Sequence, residues 1–306
     1  MEIGALMQLV AIIVSLGLTA VAVPMVTLTV MRMLRVIRAG QPAIGRSDRP
    51  AQRALVVLKE TALHTRMLQW TWVGILHWFA FAAFILLSTA VAQAYFQLFD
   101  PEFVWPIIGH FFLYEWAAEF LGLLGALAII PLFVYRLRNL PSRKGRDSRF
   151  FGSTMWQAFF VEAMVLLESA AILFVRGAEY NLLQAHGGED ADYATGFHFP
   201  IAQYFGNLYP TGAESIGTLE NIIYAIALFK IASAMIWLIV IARNITMGVA
   251  WHRFTAWFNI FFKREADGGT ALGGLVPLYV GGEPINMEKL EDLDEDDFNK
   301  LGVGKV

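Results

Sequence analysis

"WVGILHWFAFAAFILL", residues 72–87, is an apolar stretch in which His77 is the one ionisable side chain. The apolar character extends over residues 70–95, long enough for a helix to cross roughly 30 Å of hydrocarbon. Backbone groups in lipid must form their hydrogen bonds within their own segment. The stretch therefore predicts a membrane-spanning helix that carries a histidine inside it.

Four further segments have a similar length and character. The predicted spans are residues 4–31, 70–95, 113–135, 155–176 and 219–245, and the last is expected to continue as helix to about residue 262. Of the 306 residues, 57% are hydrophobic and 16% are charged, whereas soluble domains carry about a quarter of charged residues. We therefore predict an all-α membrane protein with a five-transmembrane-helix bundle over residues 1–265.

The charges of the connecting segments predict the orientation of the bundle. Residues 32–66 and 136–149 contain eight and six Lys or Arg residues, whereas residues 96–112 and 177–218 contain none and carry acidic residues. Positively charged loops stay in the cytoplasm. The amino terminus is expected outside and the carboxyl terminus inside.

The remaining residues, 266–306, have a different composition. A glycine-rich piece, "GGTALGGLVPLYVGGEP", is followed by the acidic run "EKLEDLDEDDFNK", and neither contains a phosphate-binding glycine motif. We expect a cytosolic acidic linker or docking tail. The chain has no cysteine, which excludes disulfides, iron–sulfur clusters and thiol catalysis within these residues.

Two histidines lie where the membrane helices are predicted. His77 is about seven residues into span two, and His252 follows the apolar body of span five, so both approach the cytoplasmic face. Gly74 and Gly248 lie three and four residues earlier and leave space beside each ring. The pair can hold a haem iron; the alternative is two unrelated histidines, each hydrogen-bonded to a neighbouring helix.

Other polar residues allow two interpretations each. Arg243 and Arg253 either mark where span five leaves the hydrocarbon or neutralise haem propionates. His186 and His198 belong to a solvated outer loop or to a metal site, but their 12-residue spacing matches no compact ligand pattern. His64 lies in a basic connection, where an ordinary surface role is expected.

Two stretches resemble a known family: "WVGILHWFAFAAF" in span two and "WHRFTAWFNIFF", residues 251–262. They resemble the membrane domain of iron–sulfur oxidoreductases related to heterodisulfide reductase, whose fold is that of the nitrate reductase gamma subunit. The second stretch is similar to the signature His-x-(Phe/Trp)-(Thr/Ser)-Ala-Pro…Phe, with Trp257 where proline is usual. Within that family, bacterial electron transfer flavoprotein:menaquinone oxidoreductases look most similar.

The chain departs from the gamma subunit, which holds two b haems with four histidines. Leu87 and Ala234 occupy the positions of the outer haem's ligands and cannot bind iron. The resemblance therefore implies a single haem b, held by His77 and His252 near the cytoplasmic face.

The resemblance also implies a function. Electrons would pass between a flavoprotein, cytosolic iron–sulfur clusters, the haem and menaquinone or another quinone in the bacterial cytoplasmic membrane. The clusters would lie in a domain or subunit beyond these residues, and electron transfer flavoprotein would be a partner. Nucleic acid is not an expected partner.

Quinone chemistry exchanges protons, so charged residues at membrane depth are candidates for it. Glu162 in span four and Lys230 in span five have similar estimated depths, and we predict an ion pair between them. The pair serves either as a structural link or as a quinone or proton-relay site. Glu115 and Glu119 lie on one face of span three and would repel each other unless one is protonated or paired.

Two other classes of function compete with the oxidoreductase. A cofactor-free membrane anchor for a cytosolic redox enzyme requires only the five helices. A transporter commonly has repeated halves or broken helices, and the odd number of spans and lack of an internal repeat argue against one.

Overall fold

The computed structural model describes residues 3–40, 45–269, 279–280 and 283–284. It is helical throughout the bundle, and five of its helices are long and apolar enough to cross a membrane. The predicted five-helix membrane bundle is confirmed at this level. The helices are α1 Ile3–Ala39, α2 Pro50–Thr61, α3 Thr71–Gln97, α4 Phe112–Arg138, α5 Pro141–Lys144, α6 Met155–His186, α7 Gly188–Ala191, α8 Ala202–Gly206, α9 Ile216–Arg243 and α10 Gly248–Phe261.

Short elements complete the described part of the chain. Single 3-10 turns cover Met67–Gln69, Gly145–Asp147 and Ala213–Ser215. Two-residue strands β1 (Tyr279–Val280) and β2 (Glu283–Pro284) pair antiparallel. Most of the predicted acidic tail, residues 270–278, 281–282 and 285–306, lies outside the described residues.

Small residues allow the long helices to approach closely. Gly122 of α4 packs on α6 at Ile172, and Gly125 lies between Ala83 of α3 and Ser169 of α6. A Cβ atom at Gly125 would come within 2.7 Å of the Ala83 Cβ and 2.9 Å of the Ser169 hydroxyl. Helices in membranes associate through such close contacts, because apolar burial gives little driving force between them in lipid.

Helix α1 packs along α9 in the same manner. Ala11 and Ala22 are fully buried there, and Thr29 donates a hydrogen bond to the Ala242 carbonyl, 3.1 Å away. The opposite face of α1 exposes apolar side chains such as Leu28, which is 65% exposed. An apolar surface on helices of this length makes contact with membrane lipid.

Helix α6 is longer than predicted, because polar residues near its end are buried rather than solvated. The predicted span ended at residue 176, but the helix continues to His186. Arg176 forms ion pairs within the bundle, and the Asn181 amide donates to the Gly206 carbonyl at 2.9 Å. These contacts satisfy polar groups that otherwise make a membrane helix costly.

The prediction that span five continues to residue 262 is wrong. Helix α9 ends at Arg243, the chain turns through residues 244–247, and α10 begins at Gly248. The Trp251 indole N–H lies 3.2 Å from the Ile241 carbonyl and 3.3 Å from that of Asn244. A single side chain thus satisfies carbonyls at the end of α9 and stabilises the break.

The two ends of the bundle differ in charge. We call the end formed by residues 98–111 and 187–215 the acidic end, and the end formed by residues 45–70 and 139–154 the basic end. Helix α10 belongs to the basic end, where it packs against α2.

Candidate functional site

The structure brings His77 of α3 and His252 of α10 together at the basic end. Their ring centroids lie 6.3 Å apart, with 41° between the ring planes. Metal–imidazole bonds of about 2.0–2.1 Å place two ligating nitrogens about 4 Å apart, and ring centroids lie about 1 Å behind them. Two imidazoles on one iron therefore need centroids roughly 6 Å apart. The observed spacing fits a shared metal.

Hydrogen bonds fix the tautomer of the His77 ring. The Nδ1 atom of His64 lies against the Thr61 carbonyl, so it carries a proton and donates it. The other nitrogen of His64, Nε2, is then an acceptor, and the Nδ1–H of His77 donates to it at 3.1 Å. The Nε2 atom of His77 consequently keeps its lone pair, which is what a metal ligand requires.

His252 also keeps a lone pair on Nε2, through a hydrogen bond to a backbone carbonyl. Its Nδ1 atom lies 3.2 Å from the Gly248 carbonyl, one turn earlier on α10. A carbonyl oxygen can only accept a hydrogen bond, so Nδ1 carries the proton and Nε2 again keeps the lone pair. Histidines that bind metals usually donate their second nitrogen in this way, which orients the ring.

The expected surface role of His64 is wrong. The residue is only 4% exposed and packs on His77 and Phe81, with ring centroids 5.2 Å and 4.8 Å away. Burial lowers the pKa of its ring, which keeps His64 neutral. Its backbone has a φ of 49°, a left-handed conformation that costs a non-glycine residue roughly 1–3 kcal/mol.

The two glycines have different surroundings. A Cβ atom added at Gly248 would have none of the described residues within 4 Å, which agrees with the predicted space beside His252. A Cβ atom at Gly74 would lie 2.5 Å from the Met67 carbonyl oxygen and 2.8 Å from the Leu68 Cα. The space at Gly74 is thus filled by the 3-10 turn before α3, and the prediction that it makes room for a haem is wrong.

Helix α10 is clamped at its carboxyl end by the buried Arg53 of α2. The Arg53 guanidinium donates to the carbonyls of Phe261 at 3.0 Å and Lys263 at 2.6 Å, and to the Asp48 carboxylate at 2.6 Å. The hydrogen bond from Arg53 holds the pKa of Asp48 below its usual range. Lys263 pairs with Glu60 of α2 as well. These contacts set the position of His252 relative to His64 and His77.

The two arginines near α10 have separate environments. Arg243 is exposed at the end of α9. Arg253 lies over the rings of Phe84 and Trp237, with its guanidinium carbon 5.0 Å and 5.9 Å from their centroids. Burial lowers the pKa of Arg253 to about 10, so it remains positive at neutral pH.

The predicted ion pair between Glu162 and Lys230 is wrong. Glu162 accepts a hydrogen bond at 2.7 Å from Arg136, at the basic end. Lys230 is fully enclosed near the middle of α9 and donates to the Ala90 carbonyl at 3.0 Å. The predicted span boundaries gave both residues a similar depth in the membrane. In the structure, Glu162 lies only about 10 Å along α6 from the start of that helix.

A cavity of about 340 Å³ lies between α3, α6, α9 and α10. Its wall is mostly apolar and includes Leu87 and Ala234, the two positions that lack haem ligands. Ser169, Ser233 and Glu168 supply polar groups, and the Ser233 hydroxyl donates to Glu168. An apolar cavity with a few converging polar groups is the usual form of a small-molecule site.

Glu115 and Glu119 both have partners, which is one of the two outcomes that the sequence predicted for this pair. Arg176 donates to Glu119 at 2.7 Å and lies 3.9 Å from Glu115, whose second oxygen lies 2.6 Å from His198 Nδ1. His186 lies against Glu102 instead. Within the described part of the chain, no group of three or more His, Asp or Glu residues has the arrangement of a metal site.

No family model, curated protein or solved structure matches the chain. The fold itself defines a multi-pass helical membrane protein.

Proposed function

We propose that the chain is the membrane electron-transfer domain of an oxidoreductase and holds one haem b between His77 and His252. The single observation that carries the proposal is the pairing of these two rings from different helices at 6.3 Å, each with Nδ1 engaged and Nε2 left as an acceptor. Two unrelated histidines have no reason to meet at this spacing with matching tautomers.

A bound haem supplies one-electron exchange at its iron. The residues of this chain position it: His64 orients the His77 ring, and Arg53 holds α10 so that His252 faces the same site. Arg253, next to His252, is the cation proposed for the propionates, although its guanidinium lies over Phe84 and Trp237 in the wall of the 340 Å³ cavity.

The electron partner on the lipid side is a quinone, and the 340 Å³ cavity is its proposed site. Phe84 in the cavity wall lies seven residues beyond His77 on α3, two turns or about 10 Å away. Glu168 can accept a hydrogen bond from a quinol hydroxyl, and the Ser169 hydroxyl, which has no partner among the described residues, can donate one to a quinone carbonyl. They replace the predicted Glu162 and Lys230, which are not among the described lining residues.

The remaining partners follow from the charge pattern and the family resemblance. The basic end faces the cytoplasm by the positive-inside rule, which places the amino terminus outside a bacterial cytoplasmic membrane. The site therefore lies on the side where an iron–sulfur domain or subunit, reduced by electron transfer flavoprotein, would deliver electrons.

Addition of a quinol to the purified protein tests the proposal. Menadiol should produce a reduced b-type haem spectrum in the wild type, and His77→Ala and His252→Ala should abolish it. His186→Ala, at the acidic end, is the matched control and should behave as the wild type. A wild type without haem would overturn the proposal in favour of a cofactor-free anchor.

A further inference from the structure

Buried ionisable side chains extend from the acidic end towards the middle of the bundle. The outermost are those of Glu115, Glu119, Arg176, Glu179 and His198, which we call the acidic-end cluster. Arg176 lies 2.7 Å from Glu119, 3.9 Å from Glu115 and 3.7 Å from Glu179. His198, the most exposed member, contacts Glu115 at 2.6 Å. The cluster thus connects the protein surface to carboxylates inside the bundle.

A cavity of about 90 Å³ gives this cluster access to water. It is lined by Glu102 and His110 near the surface and by Glu115, Arg176 and Glu179 further in. A cavity of this size, with charged side chains in its wall, has room for more than one water molecule.

A second, water-sized cavity links the cluster to Lys230. It measures about 10 Å³, close to the minimum for one water, and Glu179, Arg176, Gln97 and Lys230 all line it. The Gln97 amide donates to Glu179 at 2.6 Å, which fixes that carboxylate at the cavity wall. One water there would join Glu179 to Lys230.

Lys230 leads on to the 340 Å³ cavity. Its ammonium is within electrostatic range of Glu168 as well as Glu179, and Ser233, one turn along α9, donates to Glu168. The Ser169 hydroxyl is 1% exposed and lines this cavity, yet neither it nor the second carboxylate oxygen of Glu168 has a partner among the described residues. Such buried groups require a water or a ligand.

The ionisable groups form a continuous series along this line. It contains the carboxylates of Glu115, Glu119, Glu179 and Glu168, with His198, Arg176 and Lys230 beside them. Ionisable side chains inside a membrane bundle are costly, and chains of such residues commonly serve as proton relays.

We propose that this line is a proton pathway between the 340 Å³ cavity and the acidic end of the bundle. The inference rests on the proposed quinone chemistry. Oxidation of one quinol to quinone breaks two O–H bonds and releases two electrons and two protons. Ferric haem irons, held by His77 and His252 in two protein molecules, would accept one electron each. The protons pass to Glu168, then through Lys230 and Glu179 to the surface. Quinone reduction runs the same steps in reverse.

Single-turnover haem reduction by menadiol in the haem-loaded full chain tests the pathway. Glu179→Gln keeps the shape and the acceptor for Gln97 but removes the titratable group. It should slow haem reduction at least tenfold, increase the slowing caused by D₂O and leave haem content unchanged. Formate, a small weak acid that carries protons past a block, should restore the rate. Rescue of this kind does not repair a packing defect.

Two further variants complete the design. Glu115→Gln, at the outer mouth, should show the same slowing and rescue, which keeps the test valid if Glu179→Gln does not assemble. Glu162→Gln changes an equally buried carboxylate on the same helix but at the basic end, and should match the wild type. Wild-type rates in both pathway variants would overturn the pathway alone. A wild type that menadiol does not reduce would overturn the proposed function and the pathway together.

Discussion

Replacement of His64 tests how the chain controls the proposed haem ligand. His64→Leu replaces the imidazole by an apolar side chain of similar size and so removes the acceptor that lies 3.1 Å from His77 Nδ1. A histidine that donates its second N–H is a more basic ligand, which favours the ferric iron. Loss of the acceptor should therefore raise the haem midpoint potential.

The size of the shift follows from the hydrogen bond. A hydrogen bond contributes a net free energy of about 0.5–1.5 kcal/mol. In a one-electron couple about 1.36 kcal/mol equals about 59 mV, so the midpoint potential should shift by roughly 20–65 mV. His64→Gln has the same backbone strain but keeps an acceptor, so the haem midpoint potential of this variant should stay within about 20 mV of the wild type.

A potentiometric titration of the haem absorbance measures these values directly. The haem-to-protein ratio should be unchanged in both variants, because His64 itself is not a ligand. If His64→Leu retains haem at the wild-type potential, His64 does not act on the ligand and the tautomer argument for His77 loses its support.

Three substitutions test the packing that positions the site, each by thermal unfolding in detergent. Arg53→Ala removes charged hydrogen bonds to the end of α10 and should destabilise α10 by roughly 2–3 kcal/mol. Proteolysis at α10 should also be faster in Arg53→Ala than in Arg53→Lys. Equal rates of proteolysis in the two variants would contradict the clamp. Gly125→Ala should destabilise the protein by about 1–3 kcal/mol. Gly217→Ala should not change its stability, because no described residue lies within 4 Å of a Cβ atom added there; equal effects of the two substitutions would refute the close approach at Gly125. Arg136→Leu leaves Glu162 buried without its ion-pair partner and should lower the stability by about 3–5 kcal/mol. Adding Glu162→Leu should restore most of the lost stability. If it does not, the broken ion pair is not the cause of the loss.

The sequence was sufficient for the five long helices because hydropathy depends only on composition over about 20 residues. It also singled out His77 and His252, since an ionisable residue in an apolar helix is rare enough to be noticed. The break at residues 244–247 was missed. It depends on the Trp251 indole reaching back to the Ile241 carbonyl, a tertiary contact that leaves no apolar-run signal.

Partner choice among buried charges was harder to predict than their existence. Glu162 and Lys230 were recognised as buried, but their partners, Arg136 and the Ala90 carbonyl, depend on helix rotation and exact depth. His64 was missed because it lies outside the apolar segments and reaches His77 only through a left-handed turn. Its position 13 residues before His77 was the one available signal, and spacing alone did not distinguish it from a surface residue.

Haem stoichiometry of the purified protein tests the central claim most directly. A pyridine haemochrome assay should give one haem b per chain in the wild type and none in either His77→Ala or His252→Ala. Two haems per chain, or one haem retained in both variants, would contradict the assignment of a single iron to these two histidines.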